Sequence, residues 1–173
     1  RILAFFYNQT SYSIDRKDLK KGNQIRLHPF TSDEEQMVGL LENFNNYLYY
    51  NRGKKRHSVT YMYTQSKSKN LLSFGSTENT IKTHQLGYNH LIRKTWLVDL
   101  LGKTTQQETK SPSYASKNYE LQIQGFETKL SYLFSSQAQV DIFYNFQEKK
   151  NQTADFETLE QHRLGVSFAV NQI

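Results

Sequence analysis

Alternation with a period of two residues constrains this chain more than any other feature. Val140, Ile142, Tyr144 and Phe146 alternate with Gln139, Asp141, Phe143, Asn145 and Gln147, and Leu164, Val166, Phe168 and Val170 alternate with Arg163, Gly165, Ser167 and Ala169. Successive side chains of a β-strand point to opposite faces, so each segment presents one greasy face and one small or mainly polar face. A helix, repeating every 3.6 residues, would scatter the same residues around its whole circumference.

Looser versions of the pattern run through 1–14, 42–52 (Phe44, Leu48, Tyr50), 56–66 (Val59, Tyr61, Tyr63), 71–92 (Leu86, Tyr88, His90, Ile92), 95–104 and 118–134. In the last of these the apolar parity changes from Leu121 and Ile123 to Phe126, Leu130 and Tyr132, which predicts a β-bulge at Gly125. Short links at about 52–56, 93–95 and 135–137 take turns with longer polar ones at 15–40, 66–70, 103–118 and 148–157. Tight turns on one rim and long loops on the other are the habit of up-and-down outer-membrane barrels. The expected fold is therefore all-β: an antiparallel up-and-down meander of about eight strands forming a transmembrane β-barrel, or part of a larger one, over a single unit 1–173. Both ends of the chain fall on the short-turn rim. Within the first long loop, Asp33-Glu-Glu-Gln-Met-Val-Gly-Leu-Leu predicts a short helix over 33–41, capped by Ser32 or Asp33.

At 173 residues the chain is long enough for one domain and, as a closed soluble protein, for an ordinary core. Apolar residues make up only 36% while aromatic ones reach 14%, an imbalance foreign to disordered segments. No run of eighteen apolar residues exists for a transmembrane helix, but a strand crosses a bilayer in about 9–11 residues of alternating polarity. Cysteine is absent, which removes disulfides, thiol nucleophiles and Cys-based metal sites. The net charge of +6 sits in short clusters at turns and loops (Arg52 to Arg56, Arg93-Lys94, Lys149-Lys150) rather than in one basic groove interleaved with stacking rings, so nucleic acid is not an expected partner. An opening at Arg1-Ile-Leu-Ala-Phe-Phe, without an initiator Met, reads as a processed or partial chain.

The same alternation assigns a face to each strand residue. Trp96, Val98, Leu100, Val140, Ile142, Tyr144, Leu164, Val166 and Phe168 are expected to face lipid, and Asp99, Asp141, Asn145 and Arg163 to face the lumen. There Asp99 and Asp141 have Lys129 or Arg163 as expected ion-pair partners on neighbouring strands. Aromatics followed by amides recur near strand ends, as in Phe5-Phe6-Tyr7-Asn8-Gln9, Tyr47-Leu48-Tyr49-Tyr50-Asn51, Tyr61-Met62-Tyr63-Thr64-Gln65 and Phe143-Tyr144-Asn145-Phe146-Gln147, and suit an interfacial girdle. His84 and His90 share parity on one strand, but six residues of strand span about 20 Å, too far for one ion. His28 and His57 lack acidic companions at ligand spacing. No phosphate loop, nucleophile elbow or His-Glu-x-x-His helix appears, and the chain is read as a non-enzyme without metal or cofactor.

Residues from about Leu40 to Val170 carry a broader likeness. Asn46-Tyr-Leu-Tyr-Tyr-Asn-Arg-Gly, Thr60-Tyr-Met-Tyr-Thr-Gln-Ser-Lys-Ser-Lys-Asn-Leu-Leu-Ser-Phe-Gly, His84-Gln-Leu-Gly-Tyr-Asn and Arg163-Leu-Gly-Val-Ser-Phe make this stretch similar to the C-terminal region of large outer-membrane β-barrel proteins of the Bacteroidota. The resemblance implies the last eight or so strands of a longer barrel in the bacterial outer membrane, with lipid, the rest of that barrel or other outer-membrane proteins as partners. It carries over no catalytic residue, and transport, secretion and assembly all stay open. The ending Phe168-Ala-Val-Asn-Gln-Ile departs from the aromatic finish usual in related barrels. One reading of another class competes: a secreted soluble β-sandwich or open sheet that binds glycan or protein through exposed Tyr and Trp rings. Antiparallel sheets with one buried face alternate in the same way.

Overall fold

The computed structural model describes residues 5–18, 37–52, 56–72, 75–112, 114–134, 138–153 and 157–170. They form eight strands: β1 (Phe6–Asp18), β2 (Met37–Tyr50), β3 (His57–Leu72), β4 (Gly75–Ile92), β5 (Trp96–Lys110), β6 (Tyr119–Leu133), β7 (Ala138–Asn151) and β8 (Thr158–Val170). All eight belong to one antiparallel sheet in sequence order, with β1 and β8 as its two edges. The expected meander and strand count are both present. A sandwich needs a second sheet across the first, and the described residues supply only one.

Several segments expected to be loops are strand. Residues 66–70 pair with 77–81 of β4 and 103–110 with 78–85, while 148–151 continue β7 against β6. These stretches are polar on both faces, so no hydrophobic contrast marks them, yet a backbone ladder needs none once a neighbouring strand is in place. The segment 71–92 is not one strand: 71–72 end β3 and 75–92 form β4. Of the helix expected over 33–41, Met37–Leu41 lie in β2, because their backbone is paired to β1, and 33–36 lie outside the described residues, as does His28. The one helical turn between strands among the described residues is a 3-10 turn at Ala115–Lys117, inside the link 111–118.

No bulge occurs at Gly125: the registers of β6 with β5 and with β7 run unbroken through it. Among the described pairings the only slip lies between Lys17 and Asp18. The parity change has another cause, which the register makes visible below.

The link 93–95 on the short-turn rim is tight. Arg93 and Lys94 both adopt positive φ (50° and 62°), and Thr95 N–H donates to Ile92 O at 3.2 Å, the left-handed central pair of a primed hairpin turn. Links on the opposite rim are tied to neighbouring strands: Gln152 N–H donates to Glu120 O at 2.9 Å, Glu120 N–H to Thr153 Oγ1 at 2.6 Å, and Ser111 Oγ to Ser76 O at 3.4 Å.

Burial is inverted relative to a water-soluble sheet. Among the described residues no apolar side chain is buried, while Ser131 (0% exposed), Asp141 (8%), Thr83 and Ser111 are. Ser131, Asp141 and Thr83 all lie on one face.

Candidate functional site

Cross-strand partners in an antiparallel pair share a face, so the registers sort every strand residue onto one of two surfaces. Trp96, Val98 and Leu100 sit opposite Tyr132, Leu130 and Thr128; these sit opposite Val140, Ile142 and Tyr144, which sit opposite Phe168, Val166 and Leu164. All nine residues expected to be lipid-facing therefore share one surface, here called the outer face. Asp99, Asp141, Asn145 and Arg163 share the other, the inner face. The outer rows are open: Leu86 on β4 is 54% exposed and Val166 on β8 is 70% exposed. Because β4 is flanked on both sides, that exposure is no edge effect.

The apolar rows form a band with two limits. Its limit toward the long-link rim is Ile14 on β1, Phe44 on β2, Tyr63 on β3, Leu86 on β4, Phe126 on β6, Phe146 on β7 and Leu164 on β8, with Gly102 in the matching place on β5; on β2 apolar Leu40 and Val38 recur on this face beyond Glu42. Following the register from Leu164 back to β1 arrives at Phe6, eight residues short of Ile14. The band thus climbs eight residues in seven strand steps. With a rise of about 3.3 Å per residue and about 4.8 Å between strands, a level band edge requires strands tilted by about 38°. On β7 the band runs from Ala138 to Phe146, about 21 Å in height at that tilt.

Beyond the band the faces exchange character on β6. Its outer positions become Glu120, Gln122 and Gln124, and the apolar Leu121 and Ile123 move to the inner face. This exchange is what imitates a bulge at Gly125.

The inner face is a polar ladder. Asn89 donates to Asp99, Lys129 pairs with Asp141 at 3.0 Å, Gln139 Nε2 donates to Asp141 at 2.5 Å, and Asn145 Nδ2 donates to Glu127 at 3.1 Å. Asp141 thus has the expected partner in Lys129, whereas Asp99 is held by an amide; Arg163 lies opposite Asn145. A hollow of about 480 Å³ opens along this face, bordered by Asn89, Asp99, Leu101, Glu127, Lys129, Phe143 and Asn145. Asp141→Asn keeps the shape and removes the charge that Lys129 meets. With that ammonium half exposed, the expected loss is about 1.5 kcal/mol, read from urea unfolding in vesicles; an unchanged midpoint would show that the pair does not stabilise the sheet.

The rings near strand ends divide between the faces. Tyr7, Tyr47, Tyr49 and Phe143 lie inside, where Arg52 stacks 4.9 Å from Tyr7 and 4.7 Å from Tyr49, so only part of each cluster belongs to an outer girdle. Sequence reasoning missed a recurrent outer pair of tyrosine hydroxyl with histidine Nδ1: Tyr61 with His84 (2.8 Å), Tyr88 with His90 (2.6 Å) and Tyr144 with His162 (2.9 Å). Two of these pairs are cross-strand, visible only once the register is known. Among the described residues no three His, Asp or Glu gather closely enough to hold a metal ion. No family model, curated protein or solved structure matches the chain.

Proposed function

We propose that this chain is a wall of a bacterial outer-membrane β-barrel, with its outer face in lipid and its inner face on a polar lumen, serving transport, secretion or assembly rather than catalysis. The inverted burial carries this reading: apolar rows stay open and buried side chains are polar. Exposed apolar surface extending across eight strands has no place in water, where contiguous patches of more than a few hundred Å² are rare.

Three further features support it. A tilt of about 38° lies within the about 35–45° of membrane barrels, and a band about 21 Å high between Cα levels approaches their about 25 Å apolar belt once side chains are added. On β4 to β8 polar outer positions begin where the band ends, as expected of strands that continue past the bilayer. Finally, unpaired backbone groups at lipid depth cost several kcal/mol each, so the open edges of β1 and β8 need partner strands. The remaining wall of a larger barrel supplies such partners, in line with the resemblance of Leu40–Val170 to the Bacteroidota proteins.

The test is extraction. The chain is expected to leave membranes only with detergent and to aggregate when detergent is withdrawn. A monodisperse monomer in plain buffer would overturn the proposal.

A further inference from the structure

We infer that the outer face of β2–β4 holds a binding site for a phosphorylated lipid headgroup, at the level where the apolar band ends. The inference rests on the membrane reading above and adds a ligand class to it. An open pocket of about 490 Å³ lies there, bordered by Phe44, Asn46, Tyr61, Tyr63, Lys82 and His84. Phe44, Tyr61 and Tyr63 make the pocket's wall on β2 and β3 aromatic. Lys82, opposite Gln65 in the row of Phe44 and one row beyond Tyr63, makes its β4 side cationic. An amphiphile whose charged end meets Lys82 and whose chains descend along the rings matches that division.

The histidine is held in place. Tyr61 Oη bonds with His84 Nδ1 at 2.8 Å, and the Tyr63 ring lies 4.8 Å from the imidazole. Nε2 is thereby left as the ring's polar atom for an external partner. Lys67 occupies the same face two residues beyond Gln65 on β3, diagonal to Lys82; it lies opposite Glu42 on one side and Thr80 on the other.

Charge balance separates this corner from the rest of the rim. On β5 and β7 the outer-face lysines beyond the band are neutralised within their own strands, Lys110 by Glu108 at 2.6 Å and Lys150 by Glu148 at 2.9 Å. Neither Lys82 nor Lys67 has an ion pair among the described residues. Lysine, histidine and tyrosine hydroxyls offer several N–H and O–H donors, and a phosphate offers several acceptor oxygens at once. Interfacial rings and ammonium groups at headgroup depth are the usual setting for such contacts.

Native mass spectrometry of the full chain in micelles doped with phosphatidic acid reads the site directly, with phosphatidylcholine of the same acyl chains and inorganic phosphate as separate arms. Phosphatidic acid is expected to stay bound. The double variant K67Q/K82Q should retain it about tenfold less, and K103Q/K149Q, which removes the same charge from the inner face, should retain it like the parent. Equal retention by K67Q/K82Q and parent overturns the site. So does an equal loss in K103Q/K149Q, or inorganic phosphate held as firmly as the lipid. Flotation of the same protein with phosphatidylcholine vesicles keeps the two claims apart: a chain that inserts but shows no preference for phosphatidic acid loses only this site, and one that fails to insert loses the membrane reading with it.

Discussion

Val166→Arg is expected to lower the unfolding free energy in lipid vesicles by about 2–4 kcal/mol, the cost of a cation on the lipid face near the bilayer midplane. Val166 lies opposite Ile142 within the band, and the two are 70% and 45% exposed. That exposure gives the measurement its power. If the outer face met water, a charge at so open a position would change stability by no more than about 0.5 kcal/mol. If it met a second sheet, the valine would have been covered. A depth series along one face adds an internal control, since Glu160→Arg, beyond the band on the same strand, should shift stability far less. Equal effects at both positions would contradict the placement of the band.

Gly165→Ala is expected to cost about 1–3 kcal/mol, the usual range for forcing volume into an occupied site. A Cβ built at Gly165 would stand 2.2, 2.6 and 2.9 Å from three atoms of the Phe143 ring, which lies over the glycine from the facing position of β7. The ring would have to swing away and uncover the backbone it shields. This arrangement accounts for the one aromatic in an otherwise polar row of β7: an inner-face ring covers the bare segment of the neighbouring strand. Phe143→Ala removes the obstruction, so the double variant should lose less than the sum of the singles, with a coupling of about 0.5 kcal/mol or more. Strictly additive losses in urea titrations would show that the two residues act independently.

Much of the fold was legible because alternation is local. Each residue's parity on β5, β7 and β8 follows from its neighbours in sequence, so the outer row Val140, Ile142, Tyr144 and the inner pair Asp141 and Asn145 could be assigned from the order of residues alone. The turn at 93–95 was readable for a similar reason, since apolar periodicity stops there and polar residues intervene. The pair between Lys129 and Asp141 was reachable as one of a few options, because only neighbouring strands bring a lysine to that face.

What failed were inferences that treated polarity as absence of structure. Residues 66–70, 103–110 and 148–151 look like loops because both of their faces are polar. They are strands because the neighbouring backbone extends alongside them, and hydrogen bonding between chains does not consult side-chain polarity. Gly125 was mistaken for a bulge for a related reason. A single strand shows only that apolar parity changed; the neighbours show that the outer face itself turns polar at that level.

By itself, then, the sequence determined that the chain makes amphipathic antiparallel strands, about eight of them, and which residues share a face within each strand, since these depend on a two-residue repeat and on where it breaks. Only the tertiary structure decided how far each strand runs, which residues meet across strands, and that the apolar rows align into one inclined band left open above a polar face. Register is a relation between segments distant in sequence, and the inclination of the band arises from register summed over seven pairings, a quantity no single segment contains.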